Sequence, residues 1–276
     1  MIEYIKELEV LDNKEREKYV KKVLDSCEIP FYTQKVRGFF NVGENIIVDY
    51  PSDSFNQKTK YILLGAHHNK FNSPGANDNG SGVSVLLAFL KKLHTEKPSN
   101  LNIRVVFFAK EDSDGIMAGS RKYVQEYGIN NIDYFYNVDM VGMGNTLLIV
   151  PVKESMITEY WVQQIFKSAN RAGLSVQARE SISLLPGFSD DIPFRWKGLR
   201  HVCTLLVIPN EDEKFQYIFN RFSLYWYWMT GLGNIPKLTK HYHNKDDRSE
   251  FVEEKTLQKI LETLWGSIIS DSLDYE

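Results

Sequence analysis

The chain has 276 residues, 43% of them hydrophobic, which suffices for one large core or two small ones. Its 33 lysines and arginines almost balance its 36 aspartates and glutamates, so we expect no nucleic acid partner and no binding to anionic lipid. The two cysteines, Cys27 and Cys203, do not form a metal-type pair, and we expect two buried thiols in a reducing compartment, with a single disulfide as the alternative.

The N-terminal part of the chain is predicted to form a helix followed by two strands. Charged residues are spread through the first twenty positions, where a signal peptide would need an uninterrupted apolar run, so we expect a cytoplasmic protein. The segment 13–27 places its apolar residues on one helical face, and 31–36 and 45–50 have the composition of strands.

The rest of the chain alternates apolar strands with helices. Strands are predicted at 61–66, 103–109, 134–138, 147–150 and 202–208. Helices are predicted at 118–127, 155–172 and 253–272, and after Ser81, which we expect to cap its helix. This alternation is typical of a mainly parallel, mixed sheet with helices on both faces. Without a repeat or an obvious linker, the sequence predicts a single α/β domain over residues 1–276.

An aromatic-rich segment interrupts this pattern at 215–229, inside a predicted insertion at about 210–236. It holds eight aromatic residues and a single charge, Arg221. Its polar residues make it a poor candidate for the ~20 apolar residues that a membrane span requires. The segment could pack on the core, form a lid or wall over the functional site, or form a subunit contact or membrane-surface patch.

Six residues with metal-binding or acid–base chemistry lie in loops that follow predicted strands or precede the last predicted helix. They are His67, Asp78, Glu111, Asp112, Asp139 and His243. Two histidines with several carboxylates make a nitrogen-and-oxygen ligand set that suits zinc, and a carboxylate left unligated could serve as a general base. Each residue could instead be an ordinary turn or surface residue. His241 competes with His243, and His68 is expected to be a packing residue.

Five short blocks of the chain occur in the order and at the intervals of one known family. They are 65–67, 74–82, 111–112 with 119–121, 137–142 and 242–243. The blocks resemble those of the co-catalytic zinc aminopeptidases of metallopeptidase clan MH, which include bacterial leucyl aminopeptidases and are related to the glutaminyl cyclases. The resemblance covers residues 45–270 and is weak or absent before them. It implies the zinc-exopeptidase fold.

The resemblance also implies a dinuclear zinc site in which two ions share one carboxylate and one water. Asp78 would be the bridging carboxylate. His67 and Asp139 would complete the coordination of one metal ion, and Asp112 and His243 would complete that of the other.

The resemblance further implies that Glu111 is the general base. Adjacent residues of an extended chain point to opposite sides, so Glu111 and Asp112 are expected to have different roles. The resemblance also predicts a cis peptide bond between Asp78 and Asn79.

Two departures from the family pattern concern the metal ligands. The family usually has glutamate where this chain has Asp112, which is one methylene shorter. The family's His-x-Asp is His67-His68-Asn69 here, so an amide replaces the carboxylate that orients the histidine. We expect the amide oxygen of Asn69 to accept the imidazole N–H while polarising the ring less.

The function that the resemblance favours is a zinc exopeptidase that removes the N-terminal residue of a short peptide. Three alternatives stay open. One is a glutaminyl cyclase-like enzyme with a single zinc, the second is a carboxypeptidase or dipeptidase, and the third is a scaffold that keeps the fold without catalysis.

Overall fold

The computed structural model describes residues 1–38, 41–111, 117–150, 152–179, 189–209 and 245–269. The aromatic-rich segment 215–229 lies outside the described residues, as does the whole of the predicted insertion at about 210–236. That part of the domain organisation therefore stays a prediction.

Within the described residues, eight strands form one mixed sheet in the order β1-β2-β4-β3-β5-β8-β6-β7. The strands are β1 (Tyr32–Arg37), β2 (Val42–Tyr50), β3 (Tyr61–His67), β4 (Ile103–Phe108), β5 (Ile132–Val138), β6 (Thr146–Val150), β7 (Ser175–Ala178) and β8 (Val202–Ile208). Parallel pairs join β3 to β4, β3 to β5, β5 to β8 and β6 to β7. The remaining three pairs are antiparallel. The predicted α/β class with a mixed sheet is confirmed.

Seven α-helices accompany the sheet in the described part of the chain. They are α1 (Ile2–Val10), α2 (Asn13–Ser26), α3 (Gly82–Glu96), α4 (Ala118–Tyr127), α5 (Tyr160–Arg171), α6 (Ile192–Trp196) and α7 (Glu254–Ile268). Helix α2 begins with a reciprocal cap, in which the Asp12 side chain accepts the Glu15 amide and the Glu15 side chain accepts the Asp12 amide. Helix α5 starts at Tyr160, later than predicted, after one 3-10 turn at Glu154–Met156.

The predicted cap at Ser81 is wrong. Ser81 has helical backbone angles and makes no capping hydrogen bond at the start of α3. Its hydroxyl instead donates to the Asn77 carbonyl oxygen at 2.6 Å and accepts from the Val141 amide at 3.0 Å. The Ser81 hydroxyl therefore connects the loop that contains Asn77 to the loop that contains Val141.

The helices lie on both faces of the sheet, as predicted. Along β8, Cys203, Leu205 and Val207 belong to the core that includes α1, α2, α3, α5 and α7. Val202 faces the other way, into the core that includes α4 and α6. This alternation follows from the two-residue period of a strand, and the burial of each large apolar side chain contributes about 1.5–3 kcal/mol to stability.

The arrangement of the parallel strands determines where a site can form. Because β3, β4, β5 and β8 run in the same direction, their carboxyl ends meet at one edge of the sheet. Loops at this edge are the usual place for ligand-binding residues in such sheets.

Cys27 and Cys203 are free thiols, but only Cys203 is buried as predicted, because Cys27 is half-buried. None of the helices in the described part of the chain combines the length and apolarity needed to cross a bilayer.

Candidate metal centre

A single histidine, at the end of β3, lies among three carboxylates from three loops. His67 Nε2 is 3.2 Å from Asp78 Oδ1, 3.7 Å from Asp139 Oδ1 and 3.9 Å from Glu111 Oε2. All four residues are at most 9% exposed. The ligand atoms of His67, Asp78 and Asp139 lie within 4.8 Å of one another, so these three residues could hold one metal ion.

The other ring nitrogen of His67 determines which way the imidazole faces. Nδ1 lies 3.1 Å from the backbone carbonyl oxygen of Asn69, which can only accept a hydrogen bond. Nδ1 therefore carries the proton, and the lone pair of Nε2 points towards the carboxylates. The expectation that the Asn69 side chain would accept this proton is wrong, because the backbone of the same residue does so.

The Asn69 side chain has a different partner. Its Oδ1 accepts a hydrogen bond from the Glu111 amide at 2.9 Å, and both residues are 2% exposed. The Glu111 carbonyl oxygen accepts from the Met117 amide at 3.1 Å. Both the amide and the carbonyl oxygen of Glu111 are thus hydrogen-bonded, shortly after the end of β4.

The loop that carries Asp78 is held by a buried carboxylate. Asp247 accepts the Asn77 amide at 2.7 Å and the Asp78 amide at 3.1 Å, one on each oxygen. Burial, and then the neighbouring Asp78 carboxylate, raise the pKa of Asp247 to about 7, while Arg16 acts in the opposite direction. Nothing in the local sequence indicated Asp247, which lies 169 positions from Asp78.

Three further contacts join the Asp78 loop to the loop after β5, which carries Asp139. The Asn79 side chain donates to the Val138 carbonyl at 2.8 Å. The Gly142 amide donates to Asn77 Oδ1 at 2.8 Å, and the Val141 amide donates to Ser81 Oγ. The spacing between the Asp78 and Asp139 carboxylates is therefore fixed by a polar network in the protein itself. The peptide bond between Asp78 and Asn79 is cis, as the resemblance predicted.

The N-terminal helices, which lie before the resemblance begins, also contact the site loops. Arg16 of α2 is fully buried and donates from Nη2 to the Gly75 carbonyl at 3.1 Å. Asn13, at the start of α2, accepts the Lys70 amide at 2.7 Å and donates to the Lys70 carbonyl at 3.0 Å. Helix α2 therefore supports the loop that leads to Asp78.

The six predicted site residues divide into two groups. His67, Asp78, Glu111 and Asp139 are brought together, although they come from four separate places in the sequence. Asp112 and His243 lie outside the described residues, so their roles stay predictions. His68 is buried and faces away, with Nε2 3.0 Å from the Glu44 carbonyl oxygen, which agrees with the expected packing role.

The chemistry of this cluster fits a divalent cation. Several carboxylates buried close together repel one another unless a positive charge lies among them. One imidazole nitrogen with carboxylate oxygens is a donor set typical of catalytic zinc. Buried polar networks behind the donors fix their orientation, as is usual for metal sites.

Comparison with known proteins gives a family match over most of the chain. The model of the family described as Peptidase family M28 matches residues 45–268. Aminopeptidase YwaD of Bacillus subtilis (strain 168) is 29% identical over 189 residues, which are 66% of this chain. The chain spans only 40% of the length of that relative.

Two solved structures share the fold over nearly the whole of both chains. A zinc-dependent exopeptidase from Parabacteroides distasonis superposes with a TM-score of 0.69 at 17% identity, covering 97% of this chain and 96% of the other. A glutaminyl cyclase from Bacteroides thetaiotaomicron, bound to N-acetylhistamine, superposes with a TM-score of 0.68 at 18% identity, covering 97% and 95%. At these identities the likeness shows the fold alone.

Proposed function

This chain belongs to peptidase family M28, and from that premise we propose that it is a zinc-dependent exopeptidase that removes the N-terminal residue of short peptides. The observation that supports the proposal most directly is the buried cluster of His67, Asp78 and Asp139, with Glu111 beside it. These are the residues at which the sequence resembles the zinc aminopeptidases.

We assign the metal ligands as the resemblance implies. His67 and Asp139 would hold one zinc, Asp112 and His243 would hold a second, and Asp78 would be a ligand shared by both sites. The position of Asp78 supports its role, because its carboxylate is close to His67 and its backbone is held by Asp247.

Glu111 is the proposed general base. When bound, zinc supplies Lewis acidity, which polarises the scissile carbonyl and makes water easier to deprotonate. The Glu111 carboxylate accepts a proton from the attacking water and donates it to the leaving amine. The Glu111 amide donates to Asn69 Oδ1 and its carbonyl oxygen accepts from the Met117 amide, and these two hydrogen bonds hold the backbone that carries the carboxylate.

Acidic residues around the site support the preference for a free N-terminus. A protonated α-amine is attracted by carboxylates in a buried site, where the electrostatic interaction is stronger than in water. The name of the 29% identical relative, an aminopeptidase, agrees with this choice.

A small panel of substrates tests the activity on zinc-loaded protein. We expect hydrolysis of leucine p-nitroanilide and of dipeptide amides with a free amine, and none of the same compounds after N-acetylation. Hydrolysis of the acetylated compounds would favour a carboxypeptidase-type reaction. Cyclisation of an N-terminal glutaminyl peptide, without hydrolysis of the others, would favour the glutaminyl cyclase alternative.

The zinc content tests the number of ions separately from activity. We expect close to two equivalents by elemental analysis, about one for Asp112→Ala, and little for Asp78→Ala. One equivalent in the wild type and in Asp112→Ala would favour the cyclase alternative, and no bound zinc would favour the scaffold.

A further inference from the structure

A basic groove lies between the end of β1, the start of β2, and helices α4 and α6. It encloses about 1130 Å³. Its lining in the described part of the chain includes five cationic side chains, of which one, Lys122, is paired with Glu126 at 3.0 Å. The cations are Lys35, Arg37, Arg121, Lys122 and Lys197. This concentration of positive charge is local, because the chain as a whole carries a net charge of −3.

The groove also has an exposed aromatic wall. Trp196, at the end of α6, is 72% exposed and lines the groove beside Lys197. A large exposed aromatic residue in a concave, charged surface is typical of a site that binds another molecule, because the indole ring can pack on an extended chain.

The groove is attached directly to the segment that carries Glu111. The Ala118 amide, at the groove wall, donates to the Lys110 carbonyl at 3.2 Å, and the Met117 amide donates to the Glu111 carbonyl. The start of α4 therefore leads from the catalytic edge of the sheet into the groove.

We propose that the basic groove binds the part of a peptide substrate that follows its first residue, and that it selects peptides with aspartate or glutamate there. This proposal rests on the proposed function, since it assigns the substrate class of the same site. Charge complementarity favours an acidic peptide, and the connection to Glu111 favours a substrate over an unrelated partner.

Binding can be tested without catalysis by fluorescence anisotropy. The probes are two N-acetylated, C-terminally labelled peptides, one with four glutamates after an alanine and one with four glutamines. We expect the wild type to bind the acidic peptide about tenfold more tightly at low salt, with the difference shrinking as salt screens the charges.

Charge reversal at the groove has a matched control elsewhere. The groove variant carries two substitutions, Arg37→Glu and Arg121→Glu, and it should lose the preference for the acidic peptide. A second double variant, with glutamine at the same two positions, should have a reduced preference. The control, Lys167→Glu with Lys255→Glu, changes the net charge equally on exposed positions of α5 and α7. We expect the control to keep the preference and to hydrolyse leucine p-nitroanilide at the wild-type rate.

Steady-state kinetics with the free alanyl peptides separates this proposal from the proposed function. For each enzyme, KM for the glutamine peptide is divided by KM for the glutamate peptide. This ratio should fall in the Arg37→Glu, Arg121→Glu variant and stay unchanged in the Lys167→Glu, Lys255→Glu control. The groove proposal would be overturned, even with intact hydrolysis, if the wild type bound both N-acetylated peptides with equal affinity. It would also be overturned if the groove variant and the control variant lost the preference for the acidic peptide to the same extent. Tighter binding of a single-stranded thymidine decamer would also overturn it. Selective binding without hydrolysis of any free peptide would instead contradict the proposed function.

Discussion

Asn69 acts on Glu111 through one hydrogen bond, so its removal should affect catalysis more than substrate binding. We expect Asn69→Ala to lower kcat by about 10–100-fold, the scale of a small displacement of a catalytic group. KM should change much less, because Glu111 acts mainly in the transition state. Steady-state kinetics with leucine p-nitroanilide measures both values.

Asn69→Asp is the matched control, since a carboxylate oxygen can accept the same Glu111 amide. It should keep clearly more activity than Asn69→Ala. Equal kcat values for Asn69→Ala and the wild type would mean that other contacts position Glu111.

Glu111→Gln tests whether Glu111 is the group that accepts the proton from the attacking water. Glutamine keeps the size of the side chain but cannot accept the proton from water, so kcat should fall by roughly 10²–10⁴-fold while the zinc content stays unchanged. Asp112→Asn should instead lose zinc first and regain part of its activity when zinc is added. Elemental analysis and kinetics on both variants decide between the roles, and the reverse pattern would exchange them.

Residue type and position could predict the four clustered residues, because His67 ends a strand and Asp78, Glu111 and Asp139 follow strands, and the carboxyl ends of these strands meet. The sequence could not predict which atom of Asn69 contacts which partner, since the side chain and backbone of one residue both offer an acceptor. It could not reveal Asp247 either, because the contact joins residues 169 positions apart.

At the scale of elements, helix α2 supports the Asp78 loop through Arg16. We expect Arg16→Met to lower the free energy of unfolding by about 1.5–3 kcal/mol, the usual value for a hydrogen bond from a charged group. Zinc affinity should fall as well, because the Gly75 carbonyl and Asp247 lose a cationic neighbour. Urea denaturation and zinc titration measure the two effects.

Lys18→Met on the same helix is the matched control, because Lys18 is exposed. It should change the unfolding free energy by less than about 0.5 kcal/mol. If the two variants behave alike, α2 does not support the site loop.

Most of the longer elements could be predicted because their apolar residues recur at a regular period, but the nine-residue helix α1 was not predicted. The strand β7 was missed, since its four residues are exposed or half-buried and form no apolar run. The short helix α6, with five residues, offers too few turns for a periodic signal.

At the scale of the whole molecule, bound zinc should stabilise the fold, because the buried carboxylates repel one another without it. Binding at a concentration 100 times Kd adds about 2.7 kcal/mol. For a chain of this size that corresponds to a rise in Tm of about 5 °C. Differential scanning calorimetry before and after chelation measures the change.

Asp78→Ala provides the control for this measurement, since the bridging ligand is absent. Its Tm should respond little to the chelator. A wild-type Tm that is equally insensitive would contradict a metal site at this cluster.

The alternation of strands and helices predicted the class of fold, and helices on both faces follow from strands that are buried on both sides. The order of the strands could not be predicted in the same way. The antiparallel pairing of β2 with β4 and of β6 with β8 depends on contacts between distant parts of the chain, which local patterns do not encode.

The hydrogen bonds between the Asp78 loop and Asp247 have a consequence for biosynthesis. A chain emerging from the ribosome carries Asp78 long before Asp247 has been made, and closing a loop of this length is slow compared with forming a helix. During refolding, zinc uptake should therefore lag behind the recovery of helical circular dichroism. The loop that carries the proposed bridging ligand gains these two hydrogen bonds only when Asp247 is in place, so metal binding reports a late contact between distant parts of the chain.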